Sequence, residues 1–166
     1  MALLYSFLYL AVLGILAHVI GEAIPHRAFH SDRFPFRAWR WEREGRIYEC
    51  LRIRAWKDRL PDMSRVIPHM IPKRLGRTPT LYRVRRLIPE TCRAEAVHWA
   101  LCLLSPALFF FWRNGLGILL STLPILGNLP FILIQRYNRP ALIALAARLE
   151  AREEARKHRE NSDSVS

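Results

Sequence analysis

The chain has 166 residues, of which 51% are hydrophobic, and its formal net charge is +12. Three long apolar segments in so short a chain leave no room for a separate soluble domain, so we expect one small membrane unit. Of the 26 Lys and Arg residues, 18 lie between residues 25 and 93 and seven from Arg136 onward, beside the apolar segments. That location indicates anionic lipid headgroups or a phosphorylated donor as partners, and argues against nucleic acid.

The first predicted element is an apolar helix over residues 1–24, which is long enough to span a bilayer. A cleaved signal peptide is the alternative, but no Lys or Arg precedes the apolar run and no clean small-residue cleavage site follows it. We therefore expect a retained transmembrane helix with its N-terminus outside. By the positive-inside rule, the basic segment 25–88 and the C-terminus are then cytoplasmic.

Three titratable residues recur every four positions near the end of this first helix, namely His18, Glu22 and His26. One hypothesis is a metal or proton-relay site shared with Glu95 and His98, because ionisable groups inside membranes are usually functional. The other is that Glu22 and His26 lie at headgroup level and need no partner. We favour the second for those two residues, leave His18 open, and expect no metal site.

The segment 25–88 predicts a cytoplasmic interfacial region. Aromatic residues alternate with arginines over residues 27–44, a pattern that we interpret as a membrane anchor and not as a base-stacking surface. Residues 46–60 fit a strand or a helix equally well. Four prolines after Leu60 predict a loop or lid over residues 60–80, and residues 81–88 have the spacing of an amphipathic helix.

Residues 89–140 predict a helical hairpin. Between Val97 and Ile134 the only charge is Arg113, in a polar turn at residues 113–115. Two apolar arms joined by this turn indicate a pair of transmembrane helices or a re-entrant hairpin. Pro89 is expected as the first residue of the first arm, and Pro140 as the start of the next helix.

Both feet of the hairpin are polar, and antiparallel arms place them at the same membrane face. The first foot holds Arg93, Glu95 and His98, and the second holds residues 135–139. Inside the second arm, two prolines and a glycine around Asn128 predict a kink. Asn128 needs a partner in such apolar sequence, and His98 or a freed backbone carbonyl is suitable.

Residues 141–166 predict a cytoplasmic amphipathic helix to Glu160, followed by a disordered tail from Asn161. The three cysteines have no metal-ligand spacing, so neither a zinc site nor a structural disulfide is expected. Cys50 could be a reactive thiol beside Arg52 and Arg54, but a packed thiol is the favoured interpretation. The predicted fold is therefore an all-α integral membrane protein with an N-terminal transmembrane helix, a cytoplasmic interfacial segment and a C-terminal transmembrane or re-entrant hairpin.

Three stretches resemble a known family. They are ETCRAEAVHW from Glu90, NLPFILIQRYNRP from Asn128 and RAWKDRLPD from Arg54. Together they are similar to the glycosyl-4,4'-diaponeurosporenoate acyltransferases, over roughly residues 47–142. The resemblance implies a multi-pass enzyme of the bacterial cell membrane that esterifies a fatty acyl chain to a glucose hydroxyl of a carotenoid glycolipid. Acyl-CoA or an acyl-carrier thioester would be the co-substrate, with no cofactor.

Acyl transfer to a hydroxyl needs a base, donors for the oxyanion and cations for a phosphorylated donor. His98 is the expected catalytic base, with Glu95 one turn earlier as its orienting partner or as half of a buried ion pair that locks the hairpin. The substrate-binding candidates are Arg93, Asn128, Gln135, Arg136, Tyr137, Asn138 and Arg139, with Trp56 and Lys57 from the shorter motif. The competing hypotheses are a non-catalytic membrane scaffold and a metal-dependent membrane enzyme.

Overall fold

The computed structural model describes residues 2–60 and 78–163, and these residues form helices without any β-strand. The predicted lid falls largely on residues 61–77, outside the described residues. The described helices are four α-helices and four 3-10 helices, in chain order α1 (Ala2–Ala23), His26–Ala28, Arg40–Leu51, α2 (Ile53–Trp56), Lys57–Arg59, α3 (Leu81–Leu104), Ser105–Phe110 and α4 (Gly115–Asp163).

Helix α1 confirms the helix predicted over residues 1–24, and it lies antiparallel to α3. The Tyr9 hydroxyl donates to the Leu104 carbonyl over 2.9 Å, and Trp112 Nε1 donates to Ser6 Oγ over 2.8 Å. Gly21 permits the close approach, because a Cβ there would lie 2.7 Å from a Val97 methyl group. By length and hydropathy, α1 and α4 are the two described helices that could each cross a membrane.

Helix α3 begins earlier than predicted. It starts at Leu81, with the Thr80 hydroxyl accepting a hydrogen bond from the Arg83 amide, and it passes through Pro89. The expectation that Pro89 begins a separate helix was therefore wrong. Proline removes one backbone hydrogen bond from a helix interior, but Val84 and Leu87 on the preceding turns are fully buried. Their burial holds the helix together across the proline.

Helix α4 is also longer than predicted. It runs without interruption through Pro124, Pro130 and Pro140 to Asp163, so Pro140 does not start a new helix. Asn161–Asp163, expected in a disordered tail, are helical. Helix α4 packs antiparallel to α3 along much of its length, and this packing keeps the helix continuous where three prolines weaken its backbone hydrogen bonds.

The ambiguous stretch over residues 46–60 is helical, so its strand interpretation was wrong. The 3-10 helix Arg40–Leu51 is bent where Arg43, Glu44 and Gly45 all take positive φ values. At this bend Gly45 lies against α4, because a Cβ on it would be 3.3 Å from the Tyr137 carbonyl oxygen. The bend therefore brings the Arg40–Leu51 segment onto the second foot of the α3–α4 pair.

We expect Gly45→Ala to destabilise the protein by about 1–3 kcal/mol, because the φ of +86° is strained for alanine and the neighbouring carbonyl is backbone that cannot move aside. The measurement is the thermal unfolding midpoint in detergent. Gly14→Ala is the matched control, since nothing lies within 4 Å of its position, and it should change the midpoint little. Equal midpoints for the two variants would contradict the proposed contact.

Candidate active site

A buried ion-pair network joins the two polar feet. The Glu95 side chain is 0% exposed, and each of its oxygens accepts from one arginine of α4. Arg136 Nη1 lies 2.6 Å from Oε1, and Arg139 Nη2 lies 2.5 Å from Oε2. Arg139 also donates to the hydroxyl and the carbonyl of Thr91. The predicted meeting of the two feet is confirmed, and Glu95 is its centre.

Glu42 is the second carboxylate of the network. It lies on the 3-10 helix Arg40–Leu51, is 1% exposed, and accepts from Arg136 Nε and from the Tyr48 hydroxyl, each over 2.5 Å. Burial acts to raise the pKa of Glu42, but the hydrogen bonds from Arg136, Tyr48 and the Trp39 amide outweigh it and leave that pKa below its ordinary value. Two carboxylates thus balance two buried guanidinium groups.

Backbone carbonyls complete the hydrogen bonds of both arginines. Arg136 donates to the carbonyls of Pro35 and Arg37, and Arg139 donates to that of Phe36. The guanidinium of Arg136 also lies 4.6 Å from the centre of the Trp39 ring. The backbone of the segment 27–44, which was predicted as a membrane anchor, therefore covers the two arginines.

The lowered pKa of Glu42 predicts an acid-sensitive contribution to stability. A depressed carboxylate pKa stabilises the fold above the group's ordinary value of 4.5, and the contribution is lost as the pH falls through the folded-state pKa. We expect Glu42→Gln to cost about 3 kcal/mol at pH 7, with a difference from wild type that shrinks below pH 4.5. Unfolding midpoints in detergent across this range measure it, and a difference independent of pH would contradict it.

His98 forms a hydrogen-bonded pair with Asn128. Its Nδ1 lies 2.7 Å from Asn128 Oδ1, and the Asn128 amide nitrogen donates to the Pro124 carbonyl over 2.8 Å. Because a carbonyl can only accept, it fixes the amide orientation and turns Oδ1 toward the histidine. In a neutral imidazole Nδ1 then carries the proton, and Nε2 has the basic lone pair. The Phe131 ring stacks on the imidazole at 4.7 Å.

This geometry confirms His98 as a partner of Asn128. The second partner is a backbone carbonyl, that of Pro124, but not one that a proline frees, because proline frees the carbonyl four residues before itself. Glu95, in contrast, is held by Arg136 and Arg139 and accepts weakly from Trp99 Nε1. The roles of His98 and Glu95 in catalysis stay predictions. In the structure His98 contacts Asn128 and Phe131, whereas Glu95 lies between two arginines.

A second polar cluster, the outer cluster, is formed by four residues, namely Arg54, Lys57, Tyr137 and Asn138. Arg54 Nε donates to the Tyr137 hydroxyl over 2.6 Å, and Lys57 Nζ donates to Asn138 Oδ1 over 3.1 Å. The Trp56 indole nitrogen donates to the nearby Leu51 carbonyl. The structure thus brings the shorter motif against the predicted residues Tyr137 and Asn138, while Gln135 is buried at 2% exposure.

Arg93 lies apart from the other arginines, at the junction of α1 and α3. Its Nη1 is 3.0 Å from Glu22, and its Nη2 is 3.3 Å from His26 Nδ1, which itself lies 3.4 Å from Glu90. The expectation that Glu22 and His26 need no partner was therefore wrong, because the buried Arg93 requires nearby acceptors. His18 is half-buried on α1, and within the described ranges no three His, Cys, Asp or Glu side chains group as metal ligands.

Glu42, Tyr48 and Thr91 were not predicted as site residues. Glu42 belongs to a stretch that alternates charges and aromatics, which looks like solvated surface, and Thr91 is a single polar residue on a helix. Only their contacts with the buried network in the folded structure mark these three residues as part of the site. The one signal in the sequence was the pair Arg136 and Arg139 directly after an apolar run, because a cation that is buried there requires a carboxylate.

A cavity of about 400 Å³ opens beside the network. Its lining includes three acidic side chains, Asp32, Glu42 and Glu44, and three basic side chains, Arg37, Arg136 and Arg139. Apolar residues of α4, among them Ile143 and Ala147, complete it. Its charges therefore balance, which suits an uncharged polar group better than a phosphate.

Comparison with known proteins identifies the family. The profile described as glycosyl-4,4'-diaponeurosporenoate acyltransferase matches residues 25–148. Proteins of that name from Staphylococcus aureus strains MRSA252 and N315 are 27% and 28% identical, over 81% of this chain and 82% of their own length. No solved structure matches. The matched range includes both feet of the α3–α4 pair and the network between them, and the chain belongs to the glycosyl-4,4'-diaponeurosporenoate acyltransferase family.

Proposed function

We propose that this acyltransferase moves a fatty acyl chain onto a hydroxyl of the glycosyl group of a carotenoid-type glycolipid, with His98 as the base. The family and its relatives' names support the acceptor class. The observation that carries the mechanism is the His98–Asn128–Pro124 arrangement, because it orients the imidazole and places the proton of the neutral ring on Nδ1. An orienting amide on the far ring nitrogen is a recurrent feature of acyl-transfer sites.

In the proposed reaction, Nε2 of His98 accepts the proton of the acceptor hydroxyl as the hydroxyl oxygen bonds to the acyl carbonyl carbon. The carbon–sulfur bond of the donor thioester then breaks, and His98 returns the proton to the leaving thiolate. Both ends of the Asn128 amide form hydrogen bonds, so Asn128 orients the imidazole and does not donate to the oxyanion. Gln135, two turns along the same side of α4, is then the proposed oxyanion donor. Tyr137 lies nine residues from Asn128, on the opposite side of α4, and its hydroxyl bonds Arg54, so it is not proposed for this role.

We assign the buried network a positioning role. Arg136 and Arg139 are already held by Glu42, Glu95 and backbone carbonyls, so a donor phosphate would have to displace these partners. Glu95 fixes α3 one turn before His98, about 4.5 Å along the axis. It therefore acts on the base by holding the helix that carries it. Arg93 similarly holds α1 against α3.

The outer cluster is a better candidate than the buried network for binding the donor's phosphates. Arg54 is 78% exposed and lies beside Lys57 on the surface predicted to be cytoplasmic. Both cations keep donor hydrogens beyond those used on Tyr137 and Asn138. The charge-balanced cavity beside the network, in turn, suits the uncharged hydroxyls of a glycosyl acceptor.

We further propose that α1 and the α3–α4 hairpin lie in the bilayer, with the N-terminus outside and the basic segment and C-terminus cytoplasmic. Large apolar side chains along α1 and at the tip of the hairpin are more than half exposed, among them Phe7, Ile15, Leu103, Phe110 and Leu123. Exposed apolar surface of this extent marks contact with lipid or with a partner. The interfacial arginines and the cytoplasmic C-terminal part of α4 would contact anionic headgroups.

The test is reconstitution of the purified protein in lipid vesicles with a glycosylated carotenoid acid and a long-chain acyl thioester. We expect mass spectrometry to show an ester product heavier than the acceptor by one acyl group, formed only with active protein. If no ester forms with either acyl-CoA or acyl-carrier thioester, the enzymatic proposal fails and a lipid-binding scaffold becomes the better hypothesis.

A further inference from the structure

An apolar groove runs along the hairpin between its tip and the His98–Asn128 pair. Its volume is about 640 Å³, within the range of roughly 300–1,000 Å³ that is usual for ligand pockets. One wall is formed by the end of α3 and the following 3-10 helix, and the other by α4, with Leu104, Ala107, Phe110, Ile118, Ser121 and Ile125 among the lining residues.

The groove exists because small side chains occupy positions where large ones would fill it. Ala107 and Ser121 are small lining residues of opposite walls, and Pro106 lies at the start of the 3-10 helix Ser105–Phe110. The Thr122 hydroxyl is used on the Ile118 carbonyl over 2.7 Å. Ser121 Oγ is buried and has no hydrogen-bond partner among the described residues. The other lining residues apart from Thr122 are apolar, so the interior offers few polar contacts to a ligand.

The groove and the polar cavity lie on the same side of α4, with the His98–Asn128 pair between them. Ser121 and Asn128 are seven residues apart, and Asn128 and Arg139 are eleven apart, which are close to two and three full helical turns. The groove therefore begins within a turn of Asn128, at Ile125, and extends about 15 Å from Asn128 to Ile118. It points away from the buried network and toward the hairpin tip.

From this placement we infer that the groove binds the acyl chain of the donor, with its carbonyl end toward His98 and its methyl end toward the hairpin tip. The inference rests on the proposed function and adds the chain's binding site to it. A flexible alkyl chain can follow the curved walls and needs no polar partner. The acceptor's carotenoid backbone is rigid and much longer than the groove, so it does not fit the same volume.

The test places tryptophan at three depths, in Ile125→Trp, Ser121→Trp and Ile118→Trp. Each variant is given a mixture of acyl thioesters of graded length, and the product esters are resolved by mass spectrometry. We expect the longest accepted chain to shorten most in Ile125→Trp, less in Ser121→Trp and least in Ile118→Trp. Leu123→Trp is the bulk control, because Leu123 is 61% exposed and outside the groove lining, and Ser121→Ala controls for the hydroxyl alone.

An unchanged chain-length distribution in all three active variants would overturn the assignment, and would mean that the groove holds bulk membrane lipid only. A raised KM for the glycolipid with an unchanged distribution would place the acceptor there instead, and would also overturn it. If a tryptophan variant fails to accumulate, Ser121→Leu and Ala107→Leu test the same depth with smaller side chains. Absence of ester from wild type would refute the proposed function itself, which the chain-length profile does not test.

Discussion

Replacement of His98 by alanine should lower the rate of ester formation by about 100- to 10,000-fold, the range that a general base contributes. In the proposed mechanism Nε2 of His98 accepts the proton of the acceptor hydroxyl, and alanine removes that nitrogen. Because His98 is only partly buried, the protein should still accumulate and fold. The measurement is the initial rate of ester formation in vesicles at matched protein amounts.

Two further substitutions define what the loss means. His98→Gln keeps a side-chain amide that can bond Asn128 but has no basic nitrogen, so it should be as inactive as alanine while remaining folded. Asn128→Ala should lower the rate about tenfold or more, because the tautomer and the ring orientation are no longer fixed. His158→Ala, at an exposed position on α4, should leave the rate unchanged. A wild-type rate in His98→Gln would show that another group is the base.

Glu95→Gln should have a large effect of a different kind, on folding. The substitution leaves Arg136 and Arg139 buried with one carboxylate instead of two, and breaking a buried pair typically costs about 3–5 kcal/mol. For a chain of this size that lowers the unfolding midpoint by roughly 10 °C or more. The measurements are the midpoint in detergent and the amount of protein in the membrane fraction.

Glu49→Gln is the matched control, since Glu49 pairs with Arg54 where both side chains are more than half exposed, and the expected cost is below about 1 kcal/mol. Glu95→Asp should recover part of the stability by restoring the charge at a shorter reach. Should Glu95→Gln unfold at the wild-type temperature and yet lose activity, Glu95 would act on the substrate directly and the positioning role would be wrong.

The local sequence determined the helices and the chemical kinds of residue at each foot. An uninterrupted apolar run predicted α1, and the polar residues 113–115 predicted the turn between α3 and α4, because these depend on hydropathy over short windows. The pairing of Asn128 with His98 was also predictable. An amide deep in apolar sequence must find a partner, and few polar groups were within reach.

Helix boundaries at proline were less predictable, because local preference competes with packing. Pro89 and Pro140 resemble helix starts when only their neighbours are considered. Burial of Val84 before Pro89, and of Arg139 beside Pro140, stabilises continuous helices more than each missing hydrogen bond weakens them. That balance depends on contacts between α3 and α4, which no short window contains.

The partner of each buried charge was decided by the tertiary structure. Glu95 could have paired with His98 one turn away, yet it lies between Arg136 and Arg139, and Glu42 reaches Arg136 across 94 positions of sequence. A buried cation is stabilised by whichever carboxylate the packing brings within hydrogen-bond distance. The sequence by itself therefore determined that the two feet meet and that each of them carries arginine. Only the packing of the Arg40–Leu51 segment onto the helix pair decided which carboxylates hold the two arginines.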